Sequence, residues 1–287
     1  MVAAEPTLAQ LVAGAGDELT PTERRLAAVM LEDPTVVAFG TVADVARRID
    51  ASGPTVVRFA AKLGFDGYGA LQDRARAAMA AQLQRPTDRI RKTDEAAVFD
   101  RARATALRTV EAAFASVGPG LLEAMAALVA ESPGRVWIVA SATSPAPGQV
   151  LLVGLGALRP DVRQLAGGRG AVAAQIADAG VGDVVVAVDF KRYEHDVAHA
   201  TRDLAAAGAK VVAITDSALS LIAGLADHWC EIDVPAIGPF DTSLGAVAVC
   251  EALVAEVADQ LRDTLPERFD RLEALWAAND MFLGADG

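Results

Sequence analysis

Thr55, Arg58 and Lys62 carry hydroxyl, guanidinium and ammonium donors at helical spacing. They face away from the apolar series Val56, Val57, Ala60 and Leu63, as on a helix that offers donors to phosphates and base edges in a DNA major groove. A second group suits a small anion or a polyol. Ser141, Thr143 and Ser144 follow one short apolar run, where hydroxyls and backbone N–H groups could cradle a phosphate or sugar. Asp189, Lys191, Arg192, Tyr193 and Glu194 follow another, and two cations with an aromatic and carboxylates fit an anionic or polyhydroxylated ligand. Both turns also admit plainer roles, as a helix cap for the first and surface ion pairs for the second. Asp241, in the segment PFDTS before a long helical stretch, is a third candidate, with helix capping as the competing role.

The elements that must position the first group lie between Thr41 and Gly64. Val42, Val45, Ala46 and Ile49 recur at helical spacing, and the second apolar series starts after Asp50, Ala51 and Ser52. Ser52 is placed to cap the second helix, Pro54 suits its first turn, and Gly64 suits a left-handed exit. The pair reads as a helix-turn-helix, with an ordinary helical hairpin as the alternative. Charge favours the first. Residues 19 to 92 hold 12 Lys and Arg against 8 Asp and Glu, within a chain of net charge −12. A locally basic module can bind DNA in an acidic protein because phosphate contacts act within a Debye length of ~8 to 10 Å. Helices are also predicted over residues 7–18, over 21–32 behind a Thr20–Glu23 capping box, and over 70–83.

Residues 84–95, QRPTDRIRKTDE, are polar and apolar-poor and read as a linker between a helical domain (1–83) and a second domain (96–287). Beyond it, helical stretches at 96–116 and 121–131 precede the apolar runs 135–140, 161–165, 183–190, 210–216 and 229–234. Runs apolar on both faces, separated by crossover-length helices, imply a five-stranded parallel sheet covered on both sides. Ligands of such sheets gather at the carboxyl ends of the strands, where the turns of the second group fall.

Other signals are weaker. Gly154-Leu155-Gly156 lacks the third glycine and the strand context of a dinucleotide fingerprint, and Gly167 to Gly170 reads as a glycine turn. His195 and His199 share a helix face without the third ligand a zinc site needs, so no metal is expected. Cys230 and Cys250 lack metal-binding spacing and read as buried thiols. No uninterrupted apolar run has membrane-spanning length, and acids near the amino terminus argue against a secretory signal, so a cytoplasmic protein without a membrane partner is expected.

Leu19 to Gln72 contains L-T-x-x-E-R, a serine before the second helix, T-V-V-R-F and K-L-G-F-x-G-Y. This stretch resembles the amino-terminal domain of RpiR-type transcriptional regulators. Residues from about 96 to 261 are similar to the SIS (sugar isomerase) domain that such regulators carry. The resemblance implies an all-helical domain followed by a five-stranded α/β sandwich, forming a homodimer or homotetramer. It implies double-stranded operator DNA as partner, a phosphosugar or related metabolite as effector, no cofactor and no catalysis. Ser52, Thr55, Arg58 and Lys62 would lie on the DNA-facing helix, with Arg47, Arg48 and Tyr68 as backbone contacts. The ligand loops depart from the pattern. Gly-x-Gly-x-Ser reads Ala140 to Ser144, keeping only the serine, and the phosphate cradle Ser-x-Ser-Gly-x-Thr reads Asp189 to Glu194, with its hydroxyls gone. There Asp189 would repel a phosphate while Lys191 or Arg192 could attract one. Two other functions stay open: a sugar-phosphate isomerase with an accessory helical domain, and a regulator whose SIS domain only oligomerises.

Overall fold

The computed structural model describes residues 8–32, 34–82, 97–218 and 220–282, so the expected linker at 84–95 lies outside the described residues. The amino-terminal part is all helical: α1 (Leu8–Gly14), α2 (Pro21–Glu32), α3 (Pro34–Phe39), α4 (Val42–Arg48), α5 (Gly53–Lys62) and α6 (Tyr68–Gln82). Helix α3 was not foreseen from the sequence. Leu26, Met30, Val37, Val45, Val56, Phe59 and Leu71 form its core, each 1% exposed or less. The starts of α2 and α4 are fixed by reciprocal caps. Glu23 accepts from the Thr20 backbone N–H at 2.8 Å while its own N–H donates to Thr20 Oγ1, and Asp44 and Thr41 repeat the arrangement. Between α4 and α5 the chain turns at Asp50, whose φ of 51° is left-handed, and α5 ends at Gly64 with φ 86°. Ser52 occupies the cap position of α5, but its hydroxyl meets Thr55 Oγ1 at 2.9 Å instead of a backbone N–H.

The second part is α/β. Helix α7 (Val98–Glu131) leads to β1 (Val136–Ala140), α8 (Ala146–Leu158), β2 (Val162–Gln164), α9 (Arg169–Gln175), β3 (Val184–Asp189), α10 (His195–Ala206), β4 (Lys210–Thr215) and β5 (His228–Glu231). A short antiparallel pair, β6 (Ala236–Ile237) with β7 (Phe240–Asp241), precedes α11 (Leu244–Gln260) and α12 (Leu265–Ala278). The five main strands are parallel, as the apolar runs predicted, and lie in the order β2-β1-β3-β4-β5. The pair β6–β7 was not predicted, since two-residue strands leave no alternating pattern to read. One face of the sheet is packed by α7, α8 and α11 through Met125, Leu151, Leu155, Val249 and Leu253, and the other by α10 through Val197 and Leu204. Cys230 and Cys250 are both free and buried.

Helix α7 holds the most apolar long stretch, though Glu123 interrupts it. It contains an 18-residue window of mean hydropathy 1.6, long and apolar enough by composition to cross a membrane. It is broken at Gly118, φ 65°, ahead of Pro119, and its Met125, Ala126 and Val129 are fully buried against the sheet, as in a core helix. Helix α8 crosses β1 closely. A Cβ at Gly148 would lie 2.5 Å from that of Ala140, so this glycine sets how tightly the turn after β1 is held.

Two residues expected to contact DNA also hold the helical part together. The Lys62 ammonium donates to Glu23 Oε2 at 2.7 Å and to the Glu18 carbonyl at 2.8 Å, tying the end of α5 to α2; the Glu23 side chain is only 5% exposed. Tyr68, 8% exposed, turns its hydroxyl to the carbonyls of Val37 and Gly40 and so is not offered to a phosphate. Burial pushes the Glu23 carboxyl up, but the hydrogen bonds from Lys62 and Thr20 outweigh it and hold the group below its ordinary range. Lys62→Ala should therefore destabilise the helical part by about 1 to 3 kcal/mol, the cost of leaving a buried charged acceptor short of its partner, read by urea unfolding.

Candidate functional sites

On α5 the exposed residues are Pro54, Val57, Arg58, Ala61 and Lys62, with Thr55 half-buried at their edge. Val57 belongs to this surface and not to the core: it is 43% exposed, whereas Val56 is fully buried. The sequence placed both valines inside because adjacent apolar residues do not show which one the helix turns outward. Ser52, Thr55 and Arg58 are brought together, with Arg58 Nη2 3.5 Å from Thr55 Oγ1 and the two hydroxyls 2.9 Å apart. Arg47 and Arg48 are exposed at the end of α4. Arg47 pairs with Asp44 at 3.2 Å, an open surface pair that costs little to exchange for a phosphate. The face thus offers hydroxyls, guanidinium groups and a valine methyl surface, the last suited to a thymine methyl.

The second site lies where the strand order reverses, between β1 and β3, at their carboxyl ends. A cavity of about 310 Å³ opens there, lined by Ser141, Thr143 and Ser144 after β1, Phe190, Lys191 and Arg192 after β3, Val234, and the segment Pro239 to Ser243. Of the predicted ligand residues, Ser141, Thr143, Ser144, Lys191, Arg192 and Asp241 line it. Asp189 and Tyr193 do not. They shape the turn that carries the cations.

Asp189, the last residue of β3 and 2% exposed, accepts from the backbone N–H groups of Phe190 at 3.0 Å and Glu194 at 2.9 Å. Asp216, just past β4, accepts from the Lys191 N–H at 3.2 Å and from the Tyr193 hydroxyl at 2.9 Å. Two carboxylates therefore fold the turn from Phe190 to Glu194 over themselves, and Arg192 takes a left-handed φ of 70°, at the position where the phosphate-cradle pattern has glycine. Burial pushes the Asp189 carboxyl up to about 7, with the charges of Glu194 and Asp216 adding to it. Burial likewise pushes Asp216 up to about 6, against the stabilising Tyr193 hydrogen bond and the nearby Lys191 charge. The Tyr193 hydroxyl is raised by burial and by Asp216.

Glu194 was noted in the sequence as a neighbour of the two cations, but its role there was not seen. It reaches across the switch point and accepts from the Ser141 hydroxyl at 2.7 Å and from the Ala142 and Thr143 N–H groups, both at 3.0 Å. No local signal could have shown this, because the partners lie more than fifty positions apart. The rings of His195 and His199 lie 6.4 Å apart, tilted by 46°, and no group of three or more His, Cys, Asp or Glu able to hold a metal occurs among the described residues.

With both sites in view, comparison with known proteins is decisive for the architecture. Residues 7–83 match the helix-turn-helix domain of the rpiR family, and residues 164–256 match the SIS domain. The chain therefore carries an rpiR-family helix-turn-helix domain and a SIS domain. The SIS domain of an RpiR transcription factor from Sphaerobacter thermophilus superposes with a TM-score of 0.57 at 22% identity, over 61% of this chain and 97% of that one. The NanR protein of Vibrio vulnificus, solved with ManNAc-6P, superposes with a TM-score of 0.53 at 18% identity, over 93% of this chain and 98% of that one. Both likenesses concern the fold. Among curated sequences, the bifunctional protein glk of Paraburkholderia xenovorans is 45% identical over 51 residues, which are 18% of this chain and 8% of that protein. The chain therefore spans only a small part of the length of the curated relatives it matches.

A carboxyl whose pKa is higher in the folded than in the unfolded chain adds stability below its ordinary value, and that contribution is lost as pH rises through the folded value. For Asp216 the window runs from 3.8 to about 6. Asn at this position can accept from Lys191 N–H and donate to the Tyr193 oxygen. The thermal midpoint of Asp216→Asn, measured relative to the unsubstituted protein, should rise across this window; a difference that stays flat with pH contradicts the assignment.

Proposed function

We propose that this chain is a DNA-binding transcriptional regulator whose operator affinity is set by a phosphosugar or related small polar metabolite held at the β1–β3 switch point. The observation that carries the reading is the coupling, in one chain, of an exposed hydroxyl and guanidinium row on α5 with a cation-rimmed pocket in a SIS domain. NanR, solved with a phosphorylated sugar, supports the ligand class. The domain limits taken are 1–83 for DNA binding, 84–95 for the linker and 96–287 for sensing and oligomerisation. Ser52, Thr55 and Arg58 meet base edges and phosphates, with Arg47 and Arg48 on the backbone. Ser144, Lys191, Arg192 and Asp241 meet the effector.

The reading is a cytoplasmic, non-enzymatic homodimer or homotetramer. Exposed Phe99, Leu107 and Phe114 on α7 and Val153 on α8 support self-association, since large apolar side chains in such numbers favour burial against a second copy. A two-fold assembly sets two copies of α5 about one helical turn of DNA apart, ~34 Å. Genome-wide mapping of bound DNA supplies the operator. On that fragment Arg58→Ala should weaken binding roughly tenfold or more at matched salt, with unfolding unchanged. Equal affinity of the two proteins contradicts the docking face.

A further inference from the structure

The donors of the turn after β1 already hold an anion, and it belongs to the protein. Glu194 accepts three hydrogen bonds there, one from the Ser141 hydroxyl and two from successive backbone N–H groups, those of Ala142 and Thr143. Successive N–H groups that converge with a hydroxyl form the kind of concavity that binds a phosphate or carboxylate. Ser141 is 3% exposed, and its backbone N–H is fixed on the Val188 carbonyl at 3.0 Å, so the concavity is built into the sheet edge. Glu194 is in turn fixed at its backbone, where its N–H meets buried Asp189. Burial pushes the Glu194 carboxyl up, yet the hydrogen bonds from Ser141, Ala142 and Thr143 prevail and leave it below the ordinary carboxylate range, a standing negative charge at neutral pH.

The geometry points to Glu194 as a resident stand-in for a ligand's anionic group: it closes the β1 turn to phosphate and makes this pocket select ligands that carry their charge elsewhere. The remaining cationic surface of the cavity is the rim formed by Lys191 and Arg192. Arg192 is exposed and, among the described residues, makes no ion pair that would compete for it. An effector therefore sets its acidic group against that rim while its hydroxyls face Ser144 and the segment from Asp241 to Ser243. A phosphate entering the β1 turn would have to expel Glu194 and take over all three donors. This inference rests on the proposed sensing role of the pocket and assigns the residue that sets its specificity.

Inorganic phosphate is the direct probe, with full-length protein, calorimetry and the thermal midpoint as readouts. Glu194→Ala vacates three donors and removes a repelling charge. It should bind inorganic phosphate at least about tenfold more tightly than the unsubstituted protein, given the strength of hydrogen bonds to charged groups. Glu194→Gln keeps the side-chain length without the charge and should fall between the two. It decides the matter in the same way if the alanine variant does not fold, as circular dichroism will show. Equal phosphate affinity in the unsubstituted protein and the folded variants, or none in any, overturns the inference. Operator binding by the unsubstituted protein against a panel of sugar phosphates, run in parallel, separates the two ideas. A response to the panel with no gain of phosphate binding in the variants overturns the role of Glu194 alone. A gain in the variants with operator binding indifferent to the panel upholds that role and removes the sensing function.

Discussion

Asp189 holds the amides of Phe190 and Glu194 from the end of the central strand, and the ligand end of the molecule is organised around that pair of hydrogen bonds. The carboxyl is buried at a cost, visible in its shift up to about 7, and the two amides offset part of that cost. In return the turn after β3 has one shape. Lys191 and Arg192 are placed at the rim of the cavity, Tyr193 is tied down to Asp216, and Glu194 is aimed at the turn after β1. A cradle built on serine and threonine hydroxyls would present donors at this edge. Here carboxylates shape the same edge and leave the donor role to cations, so the pocket keeps its place in the fold while its polarity is rearranged.

The helical domain distributes its basic residues by a similar logic. Lys62, although exposed, pairs with the buried carboxylate of Glu23 and so secures the far end of α5. Arg58 and the hydroxyls of Ser52 and Thr55 remain outward, and Arg47 is held only by an exposed pair that salt or a phosphate can replace. The proposed docking face thus combines these donors with Val57, which adds apolar surface for shape and methyl contacts.

Much of the architecture was legible because it is local. The apolar β-branched runs 135–140, 183–190 and 210–216 implied buried parallel strands, and the Thr20–Glu23 cap and the left-handed exit at Gly64 follow from residue type. The placement of loop residues at the cavity followed from their position at the carboxyl ends of parallel strands. What could not be read depends on distance in sequence. Nothing near Lys62 announces Glu23, nothing near Tyr68 announces the Val37 and Gly40 carbonyls, and Glu194 finds its partners only once β1 and β3 are adjacent. The choice between Val56 and Val57 needed the true rotation of α5, and the two-residue strands that carry Phe240 and Asp241 to the cavity were too short to leave a pattern.

The central claim is that occupation of the β1–β3 cavity changes DNA affinity, and coupling between two sites is a free energy that can be measured. The direct measurement is operator affinity of the full-length protein with and without a saturating sugar phosphate that calorimetry shows to bind. The account predicts a shift of about fivefold or more, abolished by Arg192→Ala along with binding of the ligand. A ligand that binds in an Arg192-dependent way and leaves operator affinity unchanged would contradict it.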